Sequence, residues 1–236
     1  MSEEGIRKGL RELDEDLWVA ERPLRFAGLE VGARMTAIRL REGEIFLHSP
    51  VELDQEIRSS LDGLGSVRFA VAPNRFHHLW AGEVLGAYPE AELFLAPGLA
   101  EKRPDLAQHG ALGDEAPAGW AGQIDQLFFR GFSLANEVVF LHRASRSLIL
   151  SDLAFNFGAE DAFLPRLLVR TLGGGGFGPT LLERLLIRDR PAARLCLERI
   201  LEWDFERVIV AHGQVLESGG RQALRDGYQW LLGGRS

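Results

Sequence analysis

Short apolar runs and stretches with helical spacing alternate along most of the chain. In the first half, apolar-rich runs at 17–26, 33–40 and 44–48 are separated by glycine-containing turns, a pattern typical of strands. A helix is predicted over 53–61, because Asp54 stands near its start and a glycine follows its end. This half of the chain is therefore expected to be mostly sheet.

The segment 66–72, SVRFAVA, is apolar and stops at Pro73, as a buried strand does. Helical spacing over 79–88 and a further strand at 92–96 follow it. A strand–helix–strand unit of this kind favours a parallel strand pair with a right-handed crossover. The next stretch, 101–122, is polar and rich in Gly, Pro and Ala, which predicts a long surface excursion.

Strands return after this excursion. The last 85 or so residues are predicted to be mostly helical, because their apolar residues recur about every three to four positions. The predicted elements are strands at 126–130, 137–141, 147–152 and 206–211, and helices at 160–171, 179–187, 190–202 and 218–232. The strands at 137–141 and 147–152 flank a polar turn and should form a hairpin. The glycine-rich segment 171–180 is expected to be a hinge.

Alternating strands and helices with hairpins mixed in indicate an α/β fold with mixed sheets flanked by helices. There is no fixed-period repeat and no linker long enough to separate two folding units. We therefore expect one domain over 17–236, preceded by an N-terminal extension at 1–16. The extension mixes both signs of charge, so it is not a secretory signal, and no apolar stretch is long enough for a membrane span.

Composition narrows the class of function. The 27 basic and 34 acidic residues give a net charge of −7, which leaves no electrostatic footprint for binding a nucleic-acid backbone. The single cysteine, Cys196, lies in a helical apolar pattern and can form neither an internal disulfide nor a cysteine-rich zinc module. A cytoplasmic protein acting on a small molecule, without membrane or nucleic-acid partners, is the expectation.

Polar residues that could carry chemistry stand at the ends of predicted strands. Ligand sites of open α/β sheets gather beyond the carboxyl ends of strands, where several loops converge. Taken singly, a histidine or aspartate at a strand end is usually structural, but the set predicts a shared cleft. Its members are His48, His77, His78, Asp152 and His212.

Three stretches resemble the metallo-β-lactamase superfamily and, more narrowly, a divergent bacterial branch of unknown function. They are PNRFHHLWAGEVLGAYPEAELFLAPGLAEKRPDL, EVVFLHRASRSLILSDLAFNF and VIVAHG, and the phrase HHLWAGE is among the most specific parts. The resemblance covers most of 17–232. It implies a four-layer αβ/βα sandwich with a metal site at the edge of its two sheets.

The metal signature of that superfamily, H-x-H-x-D-H, is mostly degraded in this chain. Overlaying PNRFHHL on it places Asn74 and Phe76 at the first two histidines, His78 at the aspartate and Leu79 at the last histidine. The family's later histidine corresponds to Phe132. One of the two metal positions should therefore be empty, since a phenyl ring offers no lone pair.

The other metal position could still be formed, because Asp152 and His212 keep the family's residue types. The resemblance implies His78, Asp152 and His212 as ligands of one zinc or iron ion, with His77 or His48 as a fourth ligand or a hydrogen-bond partner. Asp152 would orient water or act as base. His78, in a cluster able to transfer protons near neutral pH, is the second candidate catalytic residue.

Two functions remain open. A mononuclear metal-dependent hydrolase of an ester, amide, thioester or phosphoester requires the ligand heads to lie about 4–6 Å apart. A metal-free member of the fold that binds a ligand or partner predicts a cleft filled by Phe76, Phe132 or Trp80, with the histidines satisfied by backbone groups. A nucleic-acid processing enzyme is disfavoured by the charge. The apolar residues of 153–180 fit a lid, a subunit contact such as a homodimer interface, or core packing.

Overall fold

Two mixed sheets face each other in the computed structural model, which describes residues 9–26, 28–158 and 176–233. The first sheet consists of β1 (Arg11–Asp14), β2 (Leu17–Arg22), β5 (Ala33–Arg39), β6 (Glu44–His48), β7 (Ser66–Ala72), β8 (Glu92–Leu95) and β9 (Gly110–Ala111), in that order. The second consists of β10 (Ile124–Phe128), β11 (Val138–His142), β12 (Ser147–Ile149) and β13 (Arg207–Ile209), in that order. The strands β3 (Arg25–Phe26) and β4 (Leu29–Glu30) form a separate pair.

Each sheet changes from antiparallel to parallel pairing along its width. In the first sheet, β1, β2, β5 and β6 pair antiparallel, and β6 to β9 pair parallel. In the second, β10 to β12 pair antiparallel and β12 pairs parallel with β13. The predicted parallel pair of 66–72 with 92–96 and the predicted hairpin of 137–141 with 147–152 are both confirmed.

The helices lie on the outer faces. The described helices are Gln55–Leu64, Ala81–Ala87, Leu99–Lys102, Leu181–Leu186, Arg190–Glu202, Gly220–Gly227 and Gln229–Leu232. Three buried apolar clusters separate the layers: one between the two sheets, one under the first three helices and one under the C-terminal helices. This is the four-layer αβ/βα sandwich expected from the sequence. Cys196 is buried in the C-terminal cluster, as predicted.

The segment 101–122 lies mostly on the surface, as predicted, but Leu106, Leu112 and Trp120 are buried. Trp120 is fully buried, and its ring lies 5.1, 5.3 and 4.8 Å from the rings of Phe46, Phe69 and Phe94. Its indole N–H donates to Gln126. Aromatic rings bury large areas, so Trp120 anchors this segment to the core between the sheets.

The first sheet begins inside the segment assigned to an N-terminal extension, because Arg11–Asp14 pairs antiparallel with Leu17–Arg22. Arg207 of the second sheet donates to Asp14 and to the carbonyl of Leu13, so this strand also contacts the other sheet. The predicted helix at 160–171 and the first half of the predicted glycine hinge, 171–175, lie outside the described residues. None of the described helices combines the length and apolarity that crossing a bilayer requires.

Candidate metal centre

Three loops meet at one edge of the sandwich, where strands of both sheets end. The loop after β7 carries Asn74, His77 and His78, the loop after β12 carries Asp152, and the loop after β13 carries His212. Backbone hydrogen bonds tie the first loop to the second sheet, from the amide of Val138 to the Pro73 carbonyl at 2.8 Å. The sheet edges therefore bring segments that are distant in sequence into one site.

His77, Asp152 and His212 form the candidate metal-binding group. One ligand atom from each lies within 4.8 Å of the others. The carboxylate Oδ1 of Asp152 is 3.4 Å from Nε2 of His77 and 3.5 Å from Nε2 of His212. Among the described residues this is the only such group, and its three side chains are 7–16% exposed, so it lies just below the surface.

The second ring nitrogen of each histidine is held by a partner outside the group. His212 donates from Nδ1 to the Gly32 carbonyl at 2.8 Å, and Nδ1 of His77 hydrogen-bonds Oγ of Ser49 at 2.8 Å. Such outer partners fix the ring orientation and tautomer of metal-bound histidines. Because Nδ1 of His212 bonds the Gly32 carbonyl, Nε2 is the ring nitrogen that faces the carboxylate.

This donor set fits a divalent ion. Nε2 lone pairs and a carboxylate oxygen repel one another unless a proton or a cation lies between them. Two imidazoles and one carboxylate are a common set for zinc and for non-haem iron, with positions left for water or substrate. The carboxylate-to-imidazole separations of 3.4 and 3.5 Å are shorter than the separation expected from the sequence, and they are those of ligands about 2.0–2.2 Å from one ion.

The loop that carries His212 is fastened to the first sheet. Arg34, almost fully buried, donates to the carbonyls of Val210 and Gly213 and pairs with Glu21 at 2.8 Å. Gly213 has φ +89°, and a side chain there would meet the carbonyl oxygen of Asn156 at 2.3 Å. Only glycine fits this turn, which explains the His212-Gly213 pair at the strand end.

The electrostatics of Asp152 follow from its neighbours. Burial alone would raise the pKa of its carboxyl, but the imidazoles of His77 and His212 outweigh burial and lower that pKa. Burial, together with the charge of Asp152, raises the pKa of Glu137 to about 8. Asp152 is therefore the ionised member of this carboxyl pair, as a metal ligand has to be.

Glu137 is a site residue that sequence reasoning missed. Its side chain is fully buried and accepts hydrogen bonds from the amides of Ser151 and Asp152, both at 2.7 Å, and from Nδ2 of Asn74 at 3.2 Å. In the sequence it is one charge at the start of an apolar strand, which is the pattern of an exposed strand end. Ser49 and Arg34 were missed for the same reason: single polar residues carry no signal of their partners.

His78, predicted as a principal ligand and as a catalytic residue, lies outside the group. It is 6% exposed and accepts a hydrogen bond on Nδ1 from Arg103 at 2.8 Å. The amides of Phe76 and His77 both donate to Oδ1 of Asn74, which turns the loop so that His77, not His78, faces Asp152. Burial and the cations Lys102 and Arg103 lower the pKa of His78.

His48 does not join the group either. Its ring lies edge-on to Phe140 at 5.3 Å, and Nε2 is buried without a hydrogen-bond partner in the described structure. Burial and the neighbouring His77 lower its pKa to about 3, so it is neutral. Its neighbour Ser49, rather than His48 itself, contacts His77.

The three aromatic residues expected to fill a metal-free cleft lie elsewhere. Phe132 is 3% exposed in the core beneath the second sheet, and Trp80 packs against the core beneath the first. Phe76 is 37% exposed, with the ammonium of Lys102 5.2 Å from its ring centre. Instead, Phe155 stacks on His212, with ring centres 5.9 Å apart.

Solved structures with the same architecture confirm the fold. A metallo-β-lactamase from Pontibacter korlensis matches with a TM-score of 0.64 and 14% identity, over 96% of this chain and 99% of the other. FIM-1 from Pseudomonas aeruginosa, in its mono-zinc form, matches with 0.62 and 11% identity, over 95% and 92%. The metal-soaked Flv1 flavodiiron core from Synechocystis sp. PCC6803 gives 0.62 and 14%, over 94% and 60%.

The protein therefore has the metallo-β-lactamase fold, as the resemblance in its sequence implied. The chain belongs to the family described as a domain of unknown function, DUF4336, whose model matches residues 14–165, more than half of its length. No curated protein matches the sequence significantly. At 11–14% identity, the solved structures establish the fold alone.

Proposed function

We propose that this protein is a mononuclear metal-dependent hydrolase of a small-molecule ester, amide, thioester or phosphoester. The observation that carries the proposal is the convergence of His77, Asp152 and His212, with each imidazole anchored through its other nitrogen. When bound, a zinc or iron ion supplies Lewis-acid chemistry that polarises water and a carbonyl or phosphoryl group.

The protein's own residues contribute position and proton handling. His77 and His212 direct Nε2 toward the ion, since Ser49 and the Gly32 carbonyl fix the opposite nitrogens. Asp152 supplies Oδ1 on the same side and is the carboxylate available to orient an attacking water or to accept its proton. The side chain of Asp152 is 16% exposed, so the group lies close enough to the surface for a small molecule to approach it.

The test is elemental analysis of protein purified without chelator, compared with a His212→Ala variant. We expect about one zinc or iron ion per chain in the wild type and a metal-free variant, because one of two imidazole ligands is lost. His109→Ala is the matched control, since His109 is an exposed histidine that also bonds a backbone group through Nδ1. It should retain the metal.

Activity is then assayed with p-nitrophenyl esters, a thioester and bis-p-nitrophenyl phosphate, before and after chelation. Hydrolysis that chelator removes and zinc or iron restores would support the proposal. Metal-free wild-type protein, with no hydrolysis after zinc or iron is added, would contradict it and favour the alternative of a catalytically degenerate binding protein. A homodimer, a cytoplasmic location and the lack of nucleic-acid partners stay predictions.

A further inference from the structure

Asn74 lies in the most buried part of the site, and its hydrogen bonds fix which way its amide points. The side chain is fully buried, and its Oδ1 accepts from the amides of Phe76 and His77, both at 2.8 Å. A side-chain NH2 group cannot accept those bonds, so the assignment of oxygen and nitrogen is forced. The NH2 group must face Asp152 and Glu137.

On that side, Asn74 contacts two carboxyl groups. Nδ2 donates to Oδ2 of Asp152 at 2.7 Å and lies 3.2 Å from Oε2 of Glu137. Glu137 is held in turn by the amides of Ser151 and Asp152, so the amide, the two carboxyl groups and two loops form one closed network. The two oxygens of Asp152 thus have different partners: Oδ1 faces the imidazoles and Oδ2 faces the amide.

We propose that Asn74, positioned by Glu137, occupies the side of Asp152 where a second cation would bind, and so limits the centre to one ion. The inference rests on the proposed function. An amide N–H is a fixed positive dipole end pointed at the carboxylate, which satisfies Oδ2 and repels a cation that approaches it. Asn74 is thus a positioning residue that acts through Asp152 and does not itself bind the ion.

Replacement of the Asn74 NH2 group by an oxygen should remove the barrier to a second cation. In Asn74→Asp the oxygen that accepts from Phe76 and His77 is kept, but the donor is replaced by an oxygen, which places a third carboxyl group beside those of Asp152 and Glu137. Clustered carboxylates suit hard cations such as Mn²⁺. The variant should therefore gain a second, oxygen-lined cation position.

The experiment loads wild-type protein and the variant with Zn²⁺ and then titrates each with Mn²⁺, followed by electron paramagnetic resonance and calorimetry. We expect one ion per chain in the wild type with no Mn²⁺ uptake, and one additional Mn²⁺ per chain in Asn74→Asp. Asn136→Asp is the control, because Asn136 also donates through Nδ2, but to the Pro97 carbonyl. It should behave as the wild type.

A folded Asn74→Asp variant that takes up no Mn²⁺ would overturn the inference while leaving the proposed function intact. Two bound ions per wild-type chain would overturn the inference and the mononuclear stoichiometry of the proposed function, but not a metal-dependent hydrolase. No ion in the wild type would overturn the proposed function, and this inference with it. Circular dichroism shows whether the variant folds. If it does not, the wild-type stoichiometry still decides between one ion and two.

Discussion

The two oxygens of Asp152 belong to the same carboxylate but face opposite kinds of surroundings. Oδ1 lies 3.4 and 3.5 Å from two imidazole nitrogens, in a group just below the surface. Oδ2 accepts a 2.7 Å hydrogen bond from Asn74, in a fully buried network with Glu137. The neighbours rather than the carboxylate itself decide which oxygen is available to an ion. Under the proposed function, one aspartate is both ligand and anchor.

The largest effect is expected on Zn²⁺ affinity, when an imidazole that faces Oδ1 of Asp152 is removed. His77→Ala should weaken Zn²⁺ binding by more than about 100-fold, because the loss of a ligand exceeds the 10–100-fold loss of an outer hydrogen-bond partner. His78→Ala is the matched control: its side chain bonds Arg103, and affinity should stay within about threefold of wild type. Competition titration with a chromogenic chelator measures both. Equal losses would contradict the assignment of His77 as the ligand.

A smaller effect should follow when only the anchor of the imidazole is removed. Ser49→Ala deletes the hydroxyl that bonds Nδ1 of His77, and Zn²⁺ affinity should fall about tenfold as ring orientation is lost. Ser145→Ala is a fitting control, because Ser145 makes the same contact, at 2.7 Å, with His142 away from the site. If the two variants bind Zn²⁺ equally well, then the Ser49 contact does not support the metal centre.

The last effect is on folding stability and not on metal affinity, and it concerns His48, which is buried beside the site but not part of it. Its pKa is about 3 in the folded state and 6.5 in the unfolded state, so the unfolded chain binds more protons between these values. Stability should fall as pH drops below 6.5, by at most about 1.4 kcal/mol per unit from this residue. His48→Leu should reduce that slope. Urea unfolding of chelated wild-type and His48→Leu protein at about pH 5 and about pH 7.5 measures this pH dependence of stability. A pH dependence that is unchanged in His48→Leu would contradict the lowered pKa of His48.

The architecture could be predicted from the sequence, because it depends on patterns that repeat over many residues. The apolar run of 66–72, the hairpin flanking the polar turn after His142 and the helical spacing of 190–202 each involve several positions. Local errors have little effect on such patterns. Trp120 shows the limit, because the sequence did not reveal that this residue of a mostly exposed segment is buried in the core between the sheets.

The site could be predicted only to the level of its loops. Asp152 and His212 were placed together by strand-end reasoning and by resemblance, and the structure brings them within 3.5 Å. The choice between His77 and His78 depends on a turn formed by two amides and Oδ1 of Asn74, which residue types alone do not specify. The burial of Glu137 depends on contacts between segments distant in sequence.

X-ray absorption at the zinc edge of stoichiometrically loaded wild-type protein tests the central claim most directly. We expect one ion bound by two imidazole nitrogens and a carboxylate oxygen at about 2.0–2.2 Å, and the loss of one imidazole ligand in His77→Ala. A zinc ion surrounded by oxygen atoms alone, or a spectrum unchanged in His77→Ala, would contradict it.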